Sequence, residues 1–140
     1  FEWAKGGVIV VDFGTATTFD VVDAAGTYLG GVISPGLGVS LDALIARAAK
    51  LPKVEIKKPD AIMGTNTISA IQAGTVYGYI GLVDGIVRRI LDAHPGLAFR
   101  VVATGGLAGL IGAESEFIES VEPFLTLEGL RLIHERRAVA

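Results

Sequence analysis

The sequence contains no cysteine among its 140 residues. Disulfide bonds, thiolate metal sites and cysteine nucleophiles are therefore excluded for this chain, and the composition suits a reducing, cytoplasmic location. Acidic and basic residues are well mixed and leave a net charge of only −3. No basic face that would attract a phosphate backbone stands out, so we expect no nucleic-acid partner. The two histidines, His94 and His134, are too few and too far apart in sequence to indicate a zinc centre.

Long apolar runs and two common nucleotide-binding motifs are also absent. Glycine, proline or a charged residue interrupts each apolar run before the roughly 18 residues that a membrane span requires, so we expect no membrane partner. No G-x-x-x-x-G-K-[ST] motif is present, which excludes a P-loop enzyme, and no G-x-G-x-x-G follows a strand, which leaves a Rossmann dinucleotide site unsupported.

The first residue is Phe1 rather than Met, and we interpret this start as processed or cut rather than as a signal peptide.

Apolar residues are abundant, at 51% of the chain, and residues 1–140 suffice for a single domain with its own core. Their spacing predicts strands at 8–11, 19–22 and 27–33, a helix at 37–48, an extended piece at 54–57, a helix at 66–92, a strand at 99–103, a helix at 115–121, a strand at 123–125 and a helix at 126–137. The first three strands form an antiparallel meander, and the mixed order that follows predicts a layered α/β domain.

Glycine is frequent, at 19 residues, and several glycines fall on one stripe of the long helix. The stripe consists of Ala70, Gly74, Gly78, Gly81 and Gly85. Each glycine inside a helix costs about 1 kcal/mol relative to alanine, so the stripe indicates that another element approaches closely. Packing within this domain is the favoured interpretation, and a contact between subunits is the alternative.

The strongest local signal for a site is the segment VDFGTATT at 11–18. Asp12 stands where a buried strand ends, Gly14 permits a close approach, and Thr15 opens a run of hydroxyls. Amides and hydroxyls suit phosphate oxygens, and a carboxylate suits the accompanying cation. An ordinary hairpin, with Asp and Thr bonded to the local backbone, accounts for the pattern equally well.

Two weaker signals follow. The strand at 99–103 runs into Gly105 and Gly106, which would leave room for a flat or phosphorylated ligand, although such loops often contain glycine for local reasons. The segment GTNT at 64–67 lies on the first turn of the long helix, where free amides favour an anion. For this segment, simple capping by Asn66 is the more economical interpretation.

Taken together, these segments resemble the type III pantothenate kinase family. The matching stretches are VDFGTATTFD at 11–20, GGVISPG at 30–36, AAKLP at 48–52, GTNT at 64–67, ATGG at 103–106 and LTLEGL at 125–130. The resemblance implies an actin-like lobe (the acetate and sugar kinase, Hsp70 and actin type, ribonuclease H-like). It also implies ATP-dependent phosphorylation of pantothenate, the first step of coenzyme A synthesis, with ATP and Mg²⁺ held between two lobes.

The same resemblance implies roles for individual residues. Asp12 matches the ligand of a monovalent cation, K⁺ or NH₄⁺. Thr15 matches a contact to the ATP phosphates beside Gly14, and Thr67 a contact to pantothenate. Gly105 and Gly106 match the loop next to the nucleotide. A homodimer is implied for the complete enzyme.

The family's first lobe has no counterpart in this sequence. That lobe carries a D-x-G-N-T phosphate loop and a G-x-D-R segment whose Asp serves as general base, and neither motif occurs here. We therefore expect residues 1–140 to be the C-terminal lobe, with no catalytic base and no turnover on its own. A non-catalytic regulator or accessory factor is the alternative function, and a sugar or short-acid kinase is a weaker one. Without the first lobe, exposed loops should favour self-association.

Overall fold

The computed structural model describes residues 2–48 and 50–138. Its elements are β1 (Gly7–Phe13), β2 (Ala16–Val22), β3 (Tyr28–Pro35), α1 (Leu37–Arg47), α2 (Thr67–Ala93), β4 (Phe99–Gly105), α3 (Ala108–Gly112), β5 (Ser120–Val121) and α4 (Leu125–Ala138). The predicted α/β class, the three-strand meander and the two longer central elements, α2 and β4, are confirmed.

The five strands form one sheet in the order β3-β2-β1-β4-β5. The first three strands pair antiparallel as hairpins, whereas β4 and β5 run parallel to β1. The crossover from β3 to β4 carries α1 and α2, as a parallel connection requires. Strand β1 lies at the centre, so the end of β1 is held by neighbours on both sides.

One face of the sheet, called the first face, is packed under α1, α2 and α3. Its core contains Phe19 from β2 and Val76 and Val83 from α2, each fully buried. Burial of such side chains stabilises the fold by roughly 1.5–3 kcal/mol each. The first face therefore supplies most of the hydrophobic stabilisation of this chain.

The opposite face, called the second face, has a much smaller apolar cluster. Ala4, Val8 and Val102 are buried there, and Trp3 and Leu125 pack against them. The N-terminal turn and the start of α4 thus cover only one end of this face.

Helix α2 begins at a capping box that the sequence predicted in part. The Asn66 side chain accepts from the Ser69 amide at 2.9 Å, and the Asn66 amide donates back to the Ser69 hydroxyl at 3.2 Å. Within the described residues, α2 is the one helix long and apolar enough to cross a membrane by length and composition. It also buries seven residues of this domain, including Gln72 and Asp84.

The predictions for residues 115–125 were wrong. Instead of a helix at 115–121, the Ser115 hydroxyl accepts from the amides of Phe117 and Ile118 and donates to buried Asp84, which forms a tight turn. The chain then extends as β5 beside β4, and residues 123–124 form a turn rather than a strand. A short helix, α3, which was not predicted, lies before this turn.

No strand forms at 54–57. The Gln72 side chain donates to the Glu55 carbonyl at 3.1 Å, and Ile56 packs against the first-face core, so α2 fixes this segment instead of a neighbouring strand. Helix α1 ends at Arg47, one residue short of the predicted end. Of the segment AAKLP, position 49 lies outside the described residues.

The favoured interpretation of the glycine stripe was also wrong. A Cβ atom built on Gly74, Gly78 or Gly81 would meet nothing within 4 Å. These three positions face open space, and Ala70, Gly74 and Gly78 line a groove between α1 and α2. Within the part of the chain that the structure describes, no element packs closely on it, so the stripe does not serve the core of this domain.

Candidate functional site

The β1–β2 turn and the end of β4 meet at one edge of the sheet. Phe13 pairs with Gly105 in the register of β1 and β4, so the turn at Gly14 and Thr15 lies beside the loop at Gly105 and Gly106. All four of these residues are exposed. The structure therefore brings two of the three predicted signals together at a single edge.

Gly105 is required by the geometry of this edge. Its φ is +94°, and a Cβ atom there would lie 2.5 Å from the Phe13 carbonyl oxygen and 2.7 Å from Asp12 Oδ1. A side chain cannot occupy that space, so the backbone of β4 packs directly on the Asp12 carboxylate. Gly106 has nothing within 4 Å of its Cβ position, which leaves open space next to it. This open, glycine-lined edge fits the approach of a nucleotide phosphate.

Asp12 lies on the second face, in one row with Thr18 of β2 and Thr104 of β4. Its side chain is half-buried. Among residues 2–48 and 50–138, no hydrogen bond to its carboxylate is found, so its oxygens remain available to a cation. No group of three or more acidic or histidine side chains converges within the described residues. In the described residues, Asp12 is therefore a single carboxylate and not part of the kind of carboxylate cluster that holds a divalent ion.

The loop after β3 supports the β1–β2 turn from the other side. The Gly36 amide donates to the Thr15 carbonyl at 2.9 Å, and a side chain at Gly36 would clash with that same carbonyl. Gly36 is buried by this contact, whereas Thr15 stays exposed. Gly36 thus fixes the backbone of Thr15, and the Thr15 hydroxyl has no hydrogen-bond partner among the described residues.

Tyr79 of α2 connects the start of β2 and the end of β3 to the helices of the first face. Its hydroxyl is hydrogen-bonded to the Thr17 hydroxyl at 2.7 Å and donates to the Pro35 carbonyl at 2.8 Å. Tyr79 and Thr17 are both buried. No motif in the sequence singles out Tyr79 for this role. A buried tyrosine hydroxyl usually finds a partner, and that signal could have singled out Tyr79.

Thr67 lies apart from this edge. It is exposed on the first turn of α2 and lines the groove between α1 and α2, which encloses about 810 Å³. Tyr79 follows twelve residues later, and a rise of 1.5 Å per residue separates the two positions by roughly 18 Å along the helix axis. The structure therefore places Thr67 at the far end of the groove from the loops that Tyr79 holds.

A polar cluster on the second face was also missed. Asp20 accepts from the Thr18 hydroxyl at 3.0 Å and from the Tyr28 hydroxyl at 2.9 Å. The hydrogen bond to Asp20 raises the pKa of Tyr28 above its ordinary value. The cluster stabilises the β2–β3 hairpin two residues beyond the row of Asp12.

Comparison with known proteins identifies the family. The sequence profile described as type III pantothenate kinase matches residues 1–89. The chain belongs to the type III pantothenate kinase family. The match includes Asp12, Gly14, Thr15 and Thr67, and ends before β4.

Curated relatives named type III pantothenate kinase match nearly the whole chain. The proteins of Koribacter versatilis and Moorella thermoacetica are each 57% identical to it over 136 residues, and that of Roseiflexus castenholzii is 59% identical over 135 residues. These alignments cover 96–97% of this chain but only 49–53% of the relatives. The chain spans about half the length of the curated relatives it matches.

A solved structure has the same fold. It is a Campylobacter jejuni protein described as a conserved transcriptional activator of the Baf family, with a TM-score of 0.64 and 24% sequence identity. The similarity covers 96% of this chain and 60% of that protein. At this identity the comparison supports the fold alone.

Proposed function

We propose that this chain is the C-terminal lobe of a two-lobed kinase that transfers the γ-phosphoryl group of ATP to pantothenate and yields 4′-phosphopantothenate. Family membership and the half-length match support this proposal. The observation that carries it is the single sheet edge at which the β1–β2 turn meets the end of β4. The strand order, three antiparallel strands followed by two parallel ones, supports an actin-like, ribonuclease H-like lobe.

In this proposal each residue of the edge has a role that its geometry suits. Asp12 holds a monovalent cation, K⁺ or NH₄⁺, with a carboxylate that has no other partner among the described residues. The hydroxyl of Thr15 and the glycines at 14, 105 and 106 contact ATP, which binds with Mg²⁺. Positioning and charge stabilisation supply most of the catalysis in phosphoryl transfer.

The general base comes from the other lobe in this proposal. The sequence has neither of the two motifs that carry the family's phosphate loop and base, so the 140-residue chain alone does not turn over. The enzyme is proposed to be cytoplasmic, in keeping with the absence of cysteine.

A homodimer is proposed for the complete enzyme. The exposed glycine stripe and the groove between α1 and α2 support it, because small residues on an open helix face allow close approach of another element. The distance between Thr67 and the loops of the sheet edge also supports it. Thr67 then contacts pantothenate only in a site completed by another chain or lobe.

The second candidate function is that of a non-catalytic nucleotide-binding regulator or accessory factor. It requires that the complete protein lack both first-lobe motifs, as these 140 residues do. Its site would still use Asp12 and Thr15 but would transfer no phosphoryl group. Transfer to a sugar or short acid is disfavoured by membership of the pantothenate kinase family.

A coupled assay with ATP, Mg²⁺, K⁺ and pantothenate tests the proposal. The chain is assayed alone and with the N-terminal half of the Moorella thermoacetica relative supplied as a separate chain. We expect phosphopantothenate only in the mixture. Asp12→Asn should lower kcat/KM by about a hundredfold or more, the loss typical of removing one electrostatic group from such a site.

Asp42→Asn is the matched control, since Asp42 is an exposed carboxylate on α1. It should leave turnover and the K⁺ dependence unchanged. Turnover by the lone chain would show that a base lies within residues 1–140. Absence of turnover in the mixture would favour the regulatory function instead.

A further inference from the structure

Helix α4 is the one long element in the described part of the chain that buries none of its residues. Four large apolar side chains at its start and along its outer side are mostly exposed, namely Phe124 (68%), Leu127 (61%), Leu130 (58%) and Ile133 (53%). These four residues are called the α4 apolar face. Single exposed apolar residues are common on protein surfaces, but three spaced three residues apart on one helix, with Phe124 in the turn just before it, indicate an interaction site.

The rest of α4 does not account for its stability. Its inner side is only half-buried, through Leu125, Gly129 and Leu132. Arg131 forms ion pairs with Glu128 and Glu135 along the helix, and such exposed pairs contribute little. A helix of 14 residues is marginal in water unless an amphipathic face is packed. A partner on the α4 apolar face would supply that packing.

The N-terminal segment of the chain lies against α4. The Arg136 guanidinium pairs with the Glu2 carboxylate near the end of the helix, and Trp3 and Leu125, at its start, pack against the same small apolar cluster. A cavity of about 430 Å³, open to solvent, lies between these residues and the first turns of α4. Any residues that precede Glu2 in a longer chain therefore connect to the fold beside this helix.

We propose that the α4 apolar face is the docking surface for the N-terminal lobe of the complete enzyme. This rests on the proposed function, in which such a lobe exists. Two observations select this occupant: the curated relatives are about twice as long as this chain, and the connection to a preceding lobe lies at α4. The lobe covers Leu127, Leu130 and Ile133, and an apolar side chain enters the cavity beside Trp3.

The α4 apolar face and the groove between α1 and α2 are separate surfaces with different proposed occupants. The groove between α1 and α2 lies on the helices of the first face, whereas α4 lies on the second face, beyond Val8 and Val102. A second copy of this chain seated in the groove would leave the α4 apolar face uncovered. The two surfaces can therefore be tested separately.

The test uses amide hydrogen exchange on two proteins: the 140-residue chain, and the same chain joined behind the N-terminal half of the Moorella thermoacetica relative. We expect exchange of the α4 amides to slow by at least about tenfold in the joined protein, because docking removes local opening of the helix. Trypsin cleavage after Arg131 should slow in parallel, and this measurement needs no substitution.

The double variant Leu127→Glu, Leu130→Glu should abolish this protection in the joined protein. Glutamate keeps the helix propensity, and both leucines are exposed in the single lobe, so exchange in β1 and α2 should not change. Val39→Glu is the matched control, since Val39 is a half-exposed apolar residue on α1. It should leave α4 protected.

Equal exchange of α4 in the two proteins would overturn the proposal, even if the joined protein phosphorylates pantothenate. Protection of α4 without turnover would support docking while refuting the proposed function. Concentration-dependent protection in the 140-residue chain, abolished by the double variant, would assign the face to a second copy instead. Binding of that chain to anionic vesicles, lost in the double variant, would assign it to a membrane surface.

Discussion

The two faces of the sheet are completed to very different degrees by this chain. The first face is covered by α1, α2 and α3 and contains a continuous core of fully buried side chains. The second face has three buried apolar residues, a row of polar side chains that includes Asp12, and a helix without any buried residue. One face therefore stabilises the domain, and the other presents groups to molecules outside it.

The comparison predicts that the two faces respond very differently to the same charge. Val83→Glu on α2 buries a carboxylate in the first-face core and should destabilise the chain by more than about 4 kcal/mol, enough to prevent cooperative unfolding. Leu130→Glu on α4 should change the free energy of unfolding by no more than about 0.5 kcal/mol. Urea denaturation followed by circular dichroism measures both. A large loss from Leu130→Glu would mean that α4 contributes to the core.

The same contrast applies to two tyrosine hydroxyls. Tyr79→Phe removes the bonds to Thr17 and Pro35 from a buried position and should cost about 1–3 kcal/mol. Tyr28→Phe removes a bond to Asp20 at a side chain that is 59% exposed, so the urea midpoint should stay almost unchanged. Urea denaturation of the two variants measures both changes in stability. Similar losses for both would contradict the assignment of Tyr79 as the anchor of the two loops.

The smallest expected change in stability is at the glycine stripe of α2. Gly78→Ala should stabilise the chain by about 0.5–1 kcal/mol, because the added methyl group meets nothing and the unfolded chain loses freedom. Gly64→Ala is the counterpart: its methyl group would clash with the backbone of Ala70, so this variant should lower the melting temperature. A loss of stability in Gly78→Ala at low protein concentration would show that the stripe packs within the domain after all.

The first two-thirds of the fold followed from local patterns. Alternation and apolar runs predicted β1 to β3, and helical spacing together with the Asn66 cap predicted α2. The strand β4 and the final helix α4 followed as well, within two residues of their predicted ends. The stretch between them did not, because α3 has five residues and β5 has two, and neither is stable without β4 beside it. The turn at Ser115 depends on Asp84, which is thirty-one residues away in sequence.

For the candidate site, the sequence supplied the residue types and the family, and the fold supplied their neighbours. The resemblance selected Asp12, Thr15 and Thr67, and their roles stay predictions until the assays above are made. The register of β1 and β4 brought Gly105 against Asp12. Helix length placed Thr67 far from the loops that Tyr79 anchors, a separation that no motif contains.

The sequence by itself therefore determined the α/β class, the central strands, the long capped helix and the family, because these depend on local periodicity and on motifs of consecutive residues. Only the tertiary structure decided which surfaces remain open. The glycine stripe was predicted to pack within the domain, but helical spacing predicts only that a face is buried and not which chain buries it. Burial depends on the contacts of the assembled molecule, so sequence spacing alone does not decide whether the glycine stripe and the α4 apolar face are covered.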